Sequence, residues 1–326
     1  MKINAIQIRE HGGPDVLTWT ETELPEPTAG EVRIRHTAIG LNYIDVYHRT
    51  GLYPVGDLPA IPGLEAAGVV EAVGPGVERL KTRDRIAYAG PPLGAYCEAR
   101  NIDAARVVKV PAGIGDRQAT AVLLQGMTAE YLLRRTFAVK RGDILLFHAA
   151  AGGVGLIACR WAKHLGATVI GTVGSEAKAE LAKAHGCDHV ILYREENVPE
   201  RVKALTHGRG VDVVYDSVGK DTIDASLDCL KPRGMLVSFG QSSGPIPPID
   251  LGILAKKGSL FITRPTLMTY TAANEELYAS AGALFAAVDQ GVVKTEIRQT
   301  FPLKDAAEAH RSLESRATIG STILLP

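Results

Sequence analysis

The chain changes its hydrophobic rhythm twice. Up to about residue 125, short alternating apolar and polar runs recur at 31–35, 68–73, 85–88 and 106–111, each bounded by Gly or Pro or by charged residues. Alternation with a turn signal about every ten residues predicts an antiparallel β-barrel or sandwich. From about residue 126 to 263, continuous apolar runs at 144–149, 168–173, 189–192, 211–216, 235–239 and 260–263 alternate with amphipathic stretches. Between the first two runs, Val154, Ile157, Ala158, Trp161 and Leu165 share one helical face, and Gly166 follows as a terminating glycine. Further helices are predicted over 175–185, ended by Gly186, and from Pro199 to a close at Gly208. Strands separated by helices in this way form a doubly wound parallel sheet in an α/β fold.

After Pro265 the rhythm of the first region returns, with a helix over 274–290, a strand at 297–301, a helix over 304–315 and a final strand at 322–325. That last strand is expected to complete the N-terminal β-domain. The β-domain is then discontinuous, residues 1–125 plus 264–326, around an inserted unit of residues 126–263.

Charge narrows the function classes. The 326 residues hold 36 Lys+Arg and 36 Asp+Glu, a formal charge of zero, which argues against a dedicated nucleic-acid binder. No apolar run approaches the ~20 residues of a membrane span, and the first residues carry no signal-peptide core. Cys97, Cys159, Cys187 and Cys229 stand far apart without a Cys-x-x-Cys pair, so reduced thiols and a cytoplasmic location are expected.

Between the first parallel strand and its helix stands His148-Ala149-Ala150-Ala151-Gly152-Gly153-Val154-Gly155. Read as G-x-G-x-x-G, it has Ala150 in the first place, then Gly152 and Gly155. Those places serve a tight turn, a backbone without Cβ beside a pyrophosphate, and close helix–strand packing. The helix N-terminus adds unpaired N–H groups and a positive dipole end. Gly152, Gly153, Val154 and Gly155 are therefore expected to hold a dinucleotide, a packing turn being the alternative.

An NAD enzyme carries Asp or Glu at the end of the second strand, for the ribose hydroxyls. Here Gly174 stands there, followed by Ser175 as a helix N-cap and Lys178 one turn in. A hydroxyl, a helix N-terminus and a cation suit a 2′-phosphate, which points to NADPH over NADH. Tyr193 and Arg194, ending the third strand, can flank the adenine. A solvated lysine and a routine cap are the alternatives, and Glu176 would repel a phosphate if it pointed inward.

The order of β-domain, dinucleotide unit and return joins several motifs: Gly40-Leu41-Asn42-Tyr43-Ile44-Asp45, Arg49-Thr50-Gly51-Leu52-Tyr53-Pro54, the glycine turn, Asp216-Ser217-Val218-Gly219 and Ser315-Arg316-Ala317-Thr318. Together they resemble the medium-chain dehydrogenase/reductase superfamily and, within it, the zeta-crystallin-like, NADPH-dependent quinone oxidoreductases, over nearly the whole chain. The resemblance implies a Rossmann sheet inserted into a GroES-like β-barrel catalytic domain, and NADPH-dependent quinone reduction that can end in a semiquinone. It also implies a homodimer paired through the segment 235–260 at the sheet edge. Implied cofactor contacts are Asn42, Thr128, Tyr131, Ser217, Phe239, Gly240, Gln241, Ser242, Phe261, Thr263 and Arg316.

Zinc-dependent members of that superfamily have Gly-His-Glu where this chain has Gly63-Leu64-Glu65. Leu64 cannot ligate a metal, Cys97 has no second ligand at the required spacing, and the four-cysteine zinc lobe is missing, so no metal is expected. Glu65 is expected to be a structural carboxylate at a turn. A quinone is already electron-poor, so the enzyme need mainly position two rings and supply proton donors. Asn42, Tyr47 and Tyr53, from a Gly/Pro-rich loop, are expected to hydrogen-bond or protonate a quinone oxygen. Arg264, after the sixth strand, is expected to stabilise developing negative charge. Packing roles for the tyrosines and a surface position for Arg264 are the alternatives. Asp45 reads as a helix cap or structural acceptor, Trp161 as core and His148 as a satisfied strand histidine. Two rival functions remain: reduction of activated C=C bonds in enones or enoyl thioesters, and a non-catalytic structural or RNA-binding role, which neutral charge disfavours.

Overall fold

In the computed structural model, residues 1–315 and 318–326 are described. Strands β1 (Lys2–Gln7) and β2 (Thr18–Glu23) form an antiparallel ribbon. β3 (Glu31–Leu41), β4 (Glu65–Val73), β5 (Arg85–Ala89), β6 (Ala99–Asp103) and β7 (Val108–Lys109) build an antiparallel sheet around β3, which pairs with both β4 and β6. Val32, Ile34, Ile39, Val70 and Ile86 from these strands are buried in one core. The run expected as a strand over 106–111 is broken: Ala104–Arg106 is a 3₁₀ turn and only Val108–Lys109 pairs. Two helices lie where the sequence pattern shows none, α1 (Tyr43–Arg49) and α2 (Asp116–Tyr131).

The second sheet holds β8 (Ile144–Phe147), β9 (Thr168–Val173), β10 (His189–Leu192), β11 (Val211–Asp216), β12 (Leu230–Ser238) and β13 (Phe261–Thr263). All pairings are parallel and the spatial order is β10-β9-β8-β11-β12-β13, a doubly wound arrangement that changes direction beside β8. Ile170, Leu146, Val214, Leu236 and Ile262 stand in register across five strands and pack in one core, so the strands cannot slip without exposing the row. Helices α3 (Gly153–His164), α4 (Glu176–Ala184), α5 (Val198–Leu205) and α6 (Ile223–Cys229) connect consecutive strands, followed by α7 (Gly252–Lys256) and α8 (Leu267–Tyr270). Trp161, on α3, is buried as expected.

The chain then runs through α9 (Asn274–Asp289), β14 (Ile297–Pro302), α10 (Ala306–Glu314) and β15 (Ser321–Leu325). β15 pairs antiparallel with β3, so the last strand does join the N-terminal sheet. The chain divides into two compact units: Met1–Met127, Thr271–Phe285 and Thr295–Pro326 form the first, Thr128–Tyr270 and Ala286–Lys294 the second.

Candidate active site

In the second unit, the glycine turn, Gly174, Ser175 and the 239–242 segment, all expected to hold a dinucleotide, follow the carboxyl ends of strands of the parallel sheet. β8 ends at Phe147, before the apolar run does, and Ala149 takes a left-handed φ of 54°. Its carbonyl accepts from Gly152 N–H at 2.9 Å, closing the turn. A Cβ on Gly155 would lie 2.5 Å from Ala149 O and 2.7 Å from Ala150 O, so only glycine lets α3 pack this close to β8. Gly152 is the N-cap of α3 and brings no side chain to it, so the first-turn N–H groups of Gly153, Val154 and Gly155 have no side-chain cap.

A buried polar chain fixes the strand ends under this turn. His148 Nδ1 is 3.0 Å from Thr172 Oγ1 and its Nε2 3.0 Å from Ser226 Oγ, while Ser226 donates to Asp216 at 2.8 Å. The Asp216 carboxylate also accepts from the N–H groups of Val218 and Gly219. His148 stands in the turn one residue past β8 rather than on the strand, both its ring nitrogens have partners, and burial holds its pKa below the ordinary value.

At the end of β9, a Cβ on Gly174 would lie 2.8 Å from the Tyr193 phenol oxygen, so the missing side chain makes room for that ring. Ser175 is the N-cap of α4, but its hydroxyl makes no capping bond. The routine-cap alternative therefore does not describe it. Lys178 is half-buried one turn further, and Glu176 is exposed. Beyond β11 and β12, Ser217 O accepts from Ser242 N–H at 3.1 Å, and a Cβ on Gly240 would lie 2.7 Å from that same carbonyl. The Phe239 ring stands 5.7 Å from Phe147, and Gln241 and Ser242 are half-buried. Arg264 Nη1 donates to Gly240 O at 2.8 Å and Ser238 O at 3.1 Å, so this cation braces the strand ends. Thr263 ends β13 beside it. Tyr131 stacks on Tyr270 with centroids 4.5 Å apart, and Thr128 is buried one turn earlier on α2. Phe261 is not brought to the rim: it pairs with Met235 two residues below the end of its strand and is 57% exposed. Arg316 lies outside the described residues.

In the first unit, Asn42, Tyr47 and Tyr53 come from a helix and its following turn rather than a loop. Asn42 is the N-cap of α1, and the Asp45 carboxylate accepts from its N–H at 2.9 Å, the structural part expected of Asp45. The Tyr47 and Tyr53 rings stand 5.0 Å apart, Tyr47 buried and Tyr53 half-buried. Burial pushes Asp45 up to about 7, while Tyr96 O–H donates to it at 3.1 Å and its Oδ1 has no partner.

Glu65 is not at a turn. It opens β4, fully buried, accepting from Asn42 Nδ2 at 2.6 Å and from Leu124 N–H at 2.6 Å. Burial pushes its carboxyl up to about 8, against the lowering effect of those two bonds. A Cβ on Gly40 would collide with this carboxylate, so the glycine opens the space it fills. Gln125 Nε2 donates to Asn42 Oδ1 at 3.2 Å, and Ser321 Oγ lies 2.8 Å from Gln125 Oε1. Sequence reading misses Gln125 and Ser321, since partners 83 and 196 residues apart leave no local signal.

The residues present do not fit zinc. Leu64 is a buried aliphatic side chain, and Cys97 donates its thiol proton to Gly94 O and Ala99 O while burial pushes its pKa up to about 12. Among the described residues no three His, Cys, Asp or Glu side chains form a metal-binding group.

Comparison with known proteins adds family context. Residues 28–141 match the alcohol dehydrogenase GroES-like domain, and residues 153–285 match the zinc-binding dehydrogenase domain. The chain is 53% identical to a quinone oxidoreductase of Pseudomonas aeruginosa, covering 98% of this chain and 99% of the relative. It is 49% identical to a 2-haloacrylate reductase of a Burkholderia species, covering 99% of each. It superposes with a TM-score of 0.97 and 50% identity on the crystal structure of Escherichia coli quinone oxidoreductase complexed with NADPH, covering 99% of this chain and 100% of that one.

Proposed function

The chain belongs to the quinone oxidoreductases of the medium-chain dehydrogenase/reductase superfamily, and on that premise we propose that it reduces quinones with NADPH. The observation that carries this reading is the rim of the parallel sheet, where the glycine turn, the uncapped start of α4 and Lys178 offer sites for a pyrophosphate and a 2′-phosphate. When bound, NADPH supplies a hydride from its nicotinamide ring. The N–H groups of Gly153, Val154 and Gly155 hold the pyrophosphate. Ser175 and Lys178 hold the 2′-phosphate, with Tyr193 beside the adenine. Ser217 and the backbone of Phe239, Gly240, Gln241 and Ser242 support the nicotinamide ribose, with Thr128, Tyr131 and Thr263 nearby in the same unit.

Asn42, Tyr47 and Tyr53 orient the quinone, the phenol O–H groups donating to its oxygens and the Asn42 amide fixing its register. Arg264, with Nη1 committed to two backbone carbonyls, keeps the Gly240 backbone in place. No step requires a metal ligand from this chain. A homodimer forms at the sheet edge that the segment 235–260 leads into; the edge strand itself is β13, just past that segment, where Phe261 is exposed. Sedimentation of Phe261→Glu tests this: the variant becomes monomeric, and an unchanged dimer refutes the edge.

The likeness to a 2-haloacrylate reductase favours a second reading, reduction of an activated C=C bond by the same coenzyme. Steady-state NADPH oxidation with a benzoquinone and with an enone, side by side, separates them. Faster turnover of the benzoquinone supports the proposal, and turnover of the enone alone overturns it.

A further inference from the structure

The buried carboxyl of Glu65 ends a hydrogen-bond chain that is fully satisfied in either direction. Asn42 Nδ2 stands 2.6 Å from Glu65 Oε2, Gln125 Nε2 3.2 Å from Asn42 Oδ1, and Ser321 Oγ 2.8 Å from Gln125 Oε1. Ser321 Oγ is also 2.9 Å from Ala121 O. With Glu65 ionised, Ser321 donates to Gln125, Gln125 to Asn42 and Asn42 to the carboxylate. With Glu65 protonated, its O–H needs an acceptor, and the near-isosteric ends of the two amides allow one. Asn42 turns to present its oxygen to Glu65 and its N–H to Gln125. Gln125 turns likewise and donates to Ser321 Oγ, whose own proton goes to Ala121 O. Leu124 N–H serves Glu65 Oε1 in both states.

We infer that Glu65 is a positioning residue whose proton sets the polarity of this chain, and thereby which side of the Asn42 amide offers an N–H and which a lone pair to a bound quinone. The inference rests on the proposed role of Asn42 in orienting that substrate. The titratable groups that act on Glu65 are Asp45 from the first turn of α1 and Tyr88 on β5, and neither brings a positive charge. Desolvation therefore dominates and keeps the acid form through neutral pH, so the chain reverses in the mildly alkaline range, near 8.

Infrared titration of the full-length protein, wild type and Glu65→Gln, reads the proton without reference to activity. The wild type loses a carboxylic-acid carbonyl band with a midpoint near 8, and that band is missing from Glu65→Gln, which separates it from Asp45. Above the midpoint, kcat/KM for a benzoquinone falls about tenfold per pH unit in the wild type, and the slope vanishes in Glu65→Gln. The NADPH dissociation constant, read by nicotinamide fluorescence, does not share the inflection. Should the variant fail to fold, the side-chain amide NMR signals of Asn42 and Gln125 in the wild type must move with the same midpoint. A carboxylate already ionised at neutral pH, stationary amide signals, or an unchanged slope in Glu65→Gln overturns the inference. Absence of quinone turnover at every pH instead refutes the proposed activity, and the infrared and NMR titrations still decide the chain.

Discussion

Single residues at the sheet rim carry their reasons in their geometry. Gly155 faces two backbone oxygens that cannot move aside, unlike the end of a flexible side chain. Gly155→Ala is expected to cost about 1–3 kcal/mol of stability by overpacking and to raise the NADPH dissociation constant as α3 is pushed off β8. Thermal unfolding and fluorescence titration check this, and unaltered affinity contradicts it. These glycines are legible in the sequence because a turn demanding an absent Cβ admits one residue type. The motif pattern puts Ala150 in its first place, yet the left-handed residue is Ala149, a conformation that sequence does not advertise for alanine. Glu65 is legible only as an acid in an apolar setting. Its burial depends on Gly40, Asn42 and Leu124, which the fold brings together from three elements.

Elements with a clean period are plain in the sequence. β9, β10 and β11 have the bounds their apolar runs predict: β9 and β11 lie inside the sheet and are buried along nearly their whole length, and β10, at the edge, still carries the apolar run Val190, Ile191 and Leu192. α2 escapes such a reading because much of its length, including Ala119, Thr120, Ala121, Val122 and Leu123, is buried on every side and shows no polar face. α1 reads as a loop because Gly and Pro bound its short run of aromatic and charged residues. β2 pairs with β1 through polar residues such as Thr18, Thr20 and Thr22, so no apolar alternation announces it. The return of β15 to β3 matches expectation, and Leu324 on β15 is wholly buried in the first core. Leu324→Ala is expected to lower stability by about 2–5 kcal/mol, measured by denaturant unfolding. A loss under about 1 kcal/mol would mean that this strand contributes little to the core.

Across the whole molecule, buried titratable groups shape stability against pH. Burial depresses His36 and His310 to about 3 and His48 to about 4, against an ordinary 6.5. Their contribution is full above 6.5 and is lost as pH falls toward those values. Glu65 and Asp45 are raised from 4.5 and 3.8 to about 8 and about 7, so their contribution is full in acid and lost as pH rises toward 8. The two trends oppose each other between 4.5 and 6.5, so stability is greatest near 6.5 and falls on both sides. Denaturant unfolding across this range checks the shape, and Glu65→Gln should flatten the alkaline limb. A steady rise from 6.5 to 8 would contradict it. No described helix is long and apolar enough to cross a membrane, and net charge is zero.

Central to the proposed mechanism is a phosphorylated nicotinamide coenzyme held at the β9 rim without help from a metal. Its most direct test is the ratio of KM for NADPH to KM for NADH in Lys178→Glu, with a benzoquinone as acceptor and a strong chelator present. The wild type is expected to keep its turnover, and the variant to raise KM for NADPH about tenfold or more, about 1.4 kcal/mol, with NADH unaffected. Equal effects on both coenzymes, or turnover lost to the chelator and restored by zinc, would contradict it.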